Sequence, residues 1–254
     1  MNSLFFTKPK ESTFEFLKFL YEQEEIILGV VIYDSHKFEG GEFVAFCREK
    51  DIRIYNGDEV YSDIDTFKNN LDVIFVNTYP KLIKNSLIDI AQKGAINFHT
   101  APLPEYRGVF GFNFAIFNEE KQYGVTAHRL SDRFDRGDII EVDRFGIDPY
   151  NITVKELVDL SNQHLYELFK KIYFKLKNNE KIFYSKQEKG KYYSREDFDN
   201  LKQIKDTDSA EVIRRKIRAF WYPPFEGAYI VLQGEKYCLV TEDILDSYGG
   251  SEKI

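Results

Sequence analysis

The stretch Ala95-Ile96-Asn97-Phe98-His99 is a short apolar run that closes on two polar side chains. Side chains alternate along a strand, so Asn97 and His99 share one face and Phe98 points the other way, into packing. Upstream, Ile26–Ile32 and residues 71–76 are similar apolar runs of strand length, and residues 52–55 suit another strand. Between them lie helical patterns. Ser12-Thr13 precedes Phe14, Phe16, Leu17 and Leu20 on one face, and Glu42–Glu49 and residues 82–92 read as further helices. Strands alternating with helices give an α/β, Rossmann-like fold with a mostly parallel sheet covered on both faces. In such sheets ligands bind outside the carboxyl ends of the strands, where Asn97 and His99 fall. An amide beside an imidazole suits acyl transfer, because both can donate to a developing oxyanion and the imidazole can also move a proton. An isolated Asn-x-His also fits a strand end that only bonds loop backbone.

Downstream, Pro102 and Pro104 stiffen a loop that ends at Gly108, residues 112–117 read as a helix, and residues 124–130 and 139–145 as two more strands. The longest helical pattern spans 153–178, with Leu157, Leu160, Leu165, Leu168 and Ile172 at core spacing and Thr153 and Glu156 placed for a capping box. The texture changes near residue 180. We therefore expect an α/β body over 1–180 and a small C-terminal region over 181–254. That region should hold a helix at 208–218, a β-hairpin over 225–240 turning at Gln233-Gly234, and a frayed tail at 249–251. Residues 192–195, rich in tyrosine and charge, suit a second contact strip or a solvated edge, and read better as the edge.

Bulk composition narrows the function. The formal charge of −7 argues against a nucleic-acid partner, which needs a basic footprint. The two cysteines, Cys47 and Cys238, sit in no CxxC or CxxH pattern, which argues against structural zinc; they read as reduced, buried thiols of a cytoplasmic protein. No apolar run is long enough to span a membrane, and no signal peptide opens the chain.

Four motifs occur together: Asn97-Phe98-His99, Leu103-Pro104-Glu105-Tyr106-Arg107-Gly108, Gly124-Val125-Thr126-Ala127-His128 and Asp135-Arg136-Gly137-Asp138-Ile139-Ile140. In order and spacing they resemble the formyltransferases that use N10-formyltetrahydrofolate. The resemblance is good over residues 70–145 and loose elsewhere. It implies that Asn97, His99 and Asp135 form the catalytic set, with Asp135 chosen over Asp132 and Asp138 by the family's Asp-x-Gly. It implies a pterin site from Asn77, Thr78, Tyr79 and Ile83 on one side and Asp132, Phe134 and Asp138 on the other. Two features depart from the family. Arg136 stands where relatives more often carry Thr, and Leu4-Phe5-Phe6 is a short opening where they have a clear strand.

The loop 101–108 and the stretch 217–229 look closest to the sugar N-formyltransferases that act on nucleotide-linked amino sugars for surface glycans. On that resemblance Thr100, Pro102, Tyr106 and Arg107 are candidates for contacting the acceptor, although Arg107 also suits bracing the loop through carbonyls. Phe220, Trp221 and Tyr222 are candidates for stacking its base, or for packing the C-terminal region onto the body. Arg215 or Arg218 is placed to meet a pyrophosphate. His128 reads as a wall residue. The aromatic hairpin offers a surface to a second copy of the chain. Competing readings are another formyl acceptor, methionyl-tRNA or a purine intermediate, and a catalytically silent nucleotide-sugar or folate-binding protein on the same fold.

Overall fold

The computed structural model describes residues 1–248. Its centre is a seven-stranded sheet in the order β3-β2-β1-β4-β5-β7-β8. The strands are β1 (Asn2–Thr7), β2 (Ile26–Ile32), β3 (Ile54–Asn56), β4 (Val73–Asn77), β5 (Ala95–His99), β7 (Gln122–Arg129) and β8 (Ile139–Gly146). Between β5 and β7 a short strand, β6 (Tyr106–Gly108), leaves the sheet. β3 through β5 pair in parallel, whereas β7 and β8 join antiparallel. The expected mostly parallel α/β sheet is therefore present.

The opening segment is a full strand at the centre of that sheet, not a short departure. Five consecutive residues of β1, Ser3 through Thr7, are buried. A strand covered on both faces needs no polar alternation, so its pattern is easily undervalued in sequence. Phe5 points to one face, with Phe75, Phe98 and Val30. Leu4 and Phe6 point to the other, with Ile74, Val76, Ile83 and Leu87.

On the first face lie α1 (Glu11–Glu22), α2 (Glu42–Glu49) and α6 (Val154–Lys177). Phe169 of α6 stacks on Phe16 of α1 at 4.2 Å and meets Phe98 edge-on at 5.1 Å. Each of these buried rings contributes on the order of 2–3 kcal/mol. Phe98 thereby fixes which side of β5 faces the core, and so which side Asn97 and His99 present. The start of α6 is set as expected: Thr153 Oγ1 accepts from the Glu156 N–H, and the Glu156 carboxylate accepts from the Thr153 N–H.

The opposite face is covered by α3 (Ile64–Phe67), α4 (Asn85–Ile88) and irregular chain. The helix expected over 82–92 is only the single turn of α4. Ile83, Leu87 and Ala91 are buried at helical spacing, but the backbone is extended at Lys84, which caps the turn and gives its N–H to the Tyr61 hydroxyl.

A second core joins α5 (Gly111–Phe117) and α6 to the C-terminal elements: β9 (Lys191–Tyr193), α7 (Arg195–Lys202), α8 (Ala210–Phe220), β10 (Tyr229–Leu232), β11 (Glu235–Cys238) and α9 (Glu242–Tyr248). β10 and β11 form the expected hairpin, with Gln233 and Gly234 both at positive φ in its turn. The segment just past residue 180 is tied to the body: Ser185 bridges Ile139, and β9 pairs in parallel with β6. Within 192–195, Tyr192 and Arg195 are exposed as a solvated edge would be, but Tyr193 is not. Tyr193 is buried and stacks on Tyr106 at 5.2 Å, because the paired strands stack their side chains. Cys47 is buried, and burial pushes its thiol up to about 12. Cys238 is exposed on the hairpin, contrary to the expectation of two buried thiols. The tail expected at 249–251 lies outside the described residues.

Candidate active site

The site is built where β5 ends. Asn97 and His99 face its solvent side, and β7 runs antiparallel beside them, placing His128 opposite Asn97 and Thr126 opposite His99. Thr126 ties down the proline loop, donating its hydroxyl to the Ala101 carbonyl and accepting the Leu103 N–H. After β7 the chain turns at Asp135, which has a φ of 54°. The turn passes so close to β7 that a Cβ on Gly137 would stand 1.7 Å from the Arg129 carbonyl oxygen. Only glycine permits that approach, and it delivers the Asp135 carboxylate back over β5.

Hydrogen bonds define which atoms face a reactant. His99 donates from Nε2 to the Tyr106 carbonyl at 3.0 Å, which leaves Nδ1 turned to Asp135 Oδ1 at 3.6 Å. The other Asp135 oxygen accepts the Gly108 N–H at 2.9 Å. His128 donates from Nδ1 to the Arg129 carbonyl, so its Nε2 is free to accept from the Asn97 amide at 2.9 Å. Burial, with the nearby His99 charge, pushes His128 down to about 4, so the ring is neutral near pH 7. A neutral His128 accepts one Asn97 N–H and leaves the second for a ligand. His99 and Asp135 are 13% and 11% exposed, reachable from the cavity yet largely shielded from bulk water.

A cavity of about 500 Å³ opens onto this group. Asn97, His99, His128 and Asp135 line it, along with Thr78, Tyr79, Ile83 and Phe134 from the expected pterin set. The rest of that set does not reach it. Asn77 is buried beneath, while Asp132 and Asp138 fall outside; Ser131 and Arg133 line it instead. The chain leaves the cavity after Asp135, where its φ is positive, and spacing alone does not reveal that turn.

A second, larger cavity of about 1010 Å³ lies next to it, and both share Thr78, Thr100 and Phe110. Of the expected acceptor contacts, Thr100, Phe220 and Tyr222 line it. Pro102, Tyr106, Arg107 and Trp221 do not. Arg107 is 2% exposed and spends its guanidinium on the Gln187 side chain and the Glu188 and Gly190 carbonyls, so it braces the loop rather than touching a substrate. Tyr106 is packed between Tyr123 and Tyr193, its hydroxyl bonded to Glu120. Arg215 and Arg218 turn to Glu119 rather than to the cavity.

Sequence reasoning set Tyr192 and Arg195 aside as part of a solvated edge, and missed Phe198 and Gln187. Tyr192 lines the smaller cavity. Arg195 and Phe198 line the larger one, Phe110 and Phe198 stack at 3.8 Å, and the Arg195 guanidinium lies 4.5 Å from the Phe110 ring. Among the described residues the Arg195 side chain has no carboxylate partner and rests over the Phe110 and Phe198 rings, so its charge is available to an anion. No group of three or more His, Cys, Asp or Glu suited to a metal is found among the described residues, and no helix there is long and apolar enough to cross a membrane.

A Rossmann-like sheet continued by two antiparallel strands, with an amide, an imidazole and a carboxylate gathered at its strand ends, has the formyltransferase fold. The formyl transferase family model matches residues 53–171. The chain is 30% identical over 177 residues to the GDP-perosamine N-formyltransferase of Brucella melitensis biotype 1, covering 69% of this chain and 67% of that one. It is 26% identical to the methionyl-tRNA formyltransferase of Pelagibacter ubique, covering 98% of this chain and 81% of that one. A solved N-formyltransferase from Helicobacter canadensis, in complex with folinic acid and dTDP-3-aminofucose, superposes with a TM-score of 0.72 at 21% identity, covering 93% and 86% of the two chains. The chain belongs to the formyltransferase family.

Proposed function

We propose that this protein transfers a formyl group from N10-formyltetrahydrofolate to the amine of a nucleotide-linked amino-deoxysugar. The observation that carries the reading is the pair of cavities meeting at Thr78, Thr100 and Phe110, with Asn97, His99 and Asp135 beside the junction. The smaller cavity offers Val76, Tyr79, Ile83, Leu130 and Phe134 to a flat ring. The Thr78 hydroxyl, buried and without a hydrogen-bond partner, fits a polar ligand atom there. The donor supplies an activated formyl carbon. The free Asn97 N–H and a protonated His99 Nδ1 are placed to stabilise negative charge growing on the formyl oxygen. As the new C–N bond forms and the N10–C bond breaks, the amine gives up a proton. The His99–Asp135 pair takes that proton and returns one to N10.

The larger cavity supports a small charged acceptor. Lys10 and Arg195 can meet a diphosphate, and the rings of Phe198, Phe220 and Tyr222 can meet a base or sugar. Asp159 and Glu226 on the same wall are paired with Lys155 and Lys202, so the cavity lacks the broad basic surface a tRNA needs, and with the chain's formal charge of −7 a tRNA acceptor is disfavoured despite the methionyl-tRNA relative. Both similar proteins that act on or hold nucleotide sugars agree with this choice. The reading places the enzyme in the cytoplasm and its product in surface-glycan synthesis. Exposed Val231, Leu232 and Tyr237 on the hairpin give a second copy a place to pack.

The test is His99→Ala. We expect kcat to fall by about 100-fold or more with an unchanged thermal midpoint. Wild-type turnover in the variant would refute the role assigned to His99; no turnover in the wild type itself would favour a silent binding protein.

A further inference from the structure

The Asp135 carboxylate reaches His99 only because the turn 135–137 holds an unusual backbone shape, and the residue that holds it comes from far away in sequence. The Gln187 side chain donates from Nε2 to the Asp135 carbonyl at 3.0 Å and to the Gly137 carbonyl at 2.7 Å. Its Oε1 accepts from Arg107 Nε at 2.9 Å. Arg107 in turn binds the Glu188 and Gly190 carbonyls, and the next residue, Gly108, gives its N–H to Asp135. The segment is anchored on both sides of Gln187, by the Ser185–Ile139 bridge and by β9 on β6. One carboxamide therefore uses both its N–H groups and its oxygen to fix two loops that bear on the reacting group. An amide is the side chain that can donate to two carbonyls and accept from a guanidinium at once.

We infer that Gln187 is a positioning residue: it sets the 135–137 turn and through it the placement of the Asp135 carboxylate against His99. The inference rests on the formyl-transfer reading only for what Asp135 and His99 do there. The geometric consequence stands apart from activity.

The test compares Gln187→Ala and Gln187→Glu with the wild type. Glutamate keeps an acceptor for Arg107 but has no N–H for the two carbonyls. The first readout is the imidazole NMR signature at fixed pH, with the four histidines assigned by single replacement. We expect the His99 signals to move in both variants while those of His36 and His164 stay in place. Coincident His99 signals in wild type and Gln187→Ala would overturn the inference. That readout needs no substrate, so it decides the point even if the wild type formylates no amino sugar. Where the wild type does turn over, kcat should fall about 10- to 100-fold in both variants with both KM values within about twofold. A Gln187→Glu enzyme with wild-type kcat beside an impaired Gln187→Ala would mean that bracing Arg107 is the whole role, and would also overturn it.

Discussion

Acidification should unfold this protein through His128 in a way that one replacement can isolate. The ring is 2% exposed, donates to the Arg129 carbonyl and accepts from Asn97, so a second ring proton would lose the Asn97 bond and bury a charge. Burial is the main cause that takes it from 6.5 to about 4. The sign follows directly. Above pH 6.5 neither the folded nor the unfolded chain carries the proton, and the stabilisation is fully present. As the pH falls from 6.5 towards about 4, the unfolded chain binds a proton that the folded one refuses, and stability is lost. At about 1.4 kcal/mol per pH unit, the loss reaches about 2 kcal/mol by pH 5 and on the order of 3 kcal/mol below pH 4. Glutamine at 128 can make both hydrogen bonds and does not titrate. Urea unfolding at pH 7 and pH 5, in wild type and His128→Gln, separates this effect from the carboxylates that titrate in both. We expect the wild type to lose about 2 kcal/mol more than the variant across that interval. Parallel losses would refute the claim that a buried neutral His128 holds Asn97.

Two further outcomes follow from the same geometry. Gly137→Ala drives a methyl group into the Arg129 carbonyl and should cost at least about 2 kcal/mol in urea unfolding; a wild-type midpoint would contradict the close approach. Arg195→Ala removes an uncommitted cation from the larger cavity and should raise the acceptor KM about tenfold with kcat and donor KM nearly unchanged. A change in donor KM alone would reassign that cavity.

The parts of this site that could be read in sequence are those set by local rules. Strand alternation alone puts Asn97 and His99 on one face and Phe98 in the core, and the structure keeps that arrangement. The hairpin turn was legible because Gln233-Gly234 follows the rule for two left-handed residues. What escaped depends on contacts across the chain. The run 82–92 has the buried spacing of a helix, yet its backbone is extended at Lys84, where the N–H goes to Tyr61 instead. Arg215 and Arg218 looked free for a phosphate until Glu119 came to face them. Gln187, Tyr192 and Arg195 sit in a polar stretch with no periodicity. Their importance appears only once β9 lies on β6 and carries them to the cavities.

The most direct measurement is mass spectrometry of purified protein incubated with N10-formyltetrahydrofolate and a panel of guanosine-, uridine- and thymidine-linked amino sugars. Formation of a singly formylated nucleotide sugar, abolished by His99→Ala, is the expected result. Unmodified sugars across the panel, with the donor consumed and formyl appearing only when methionyl-tRNA is supplied in their place, would contradict the proposed acceptor.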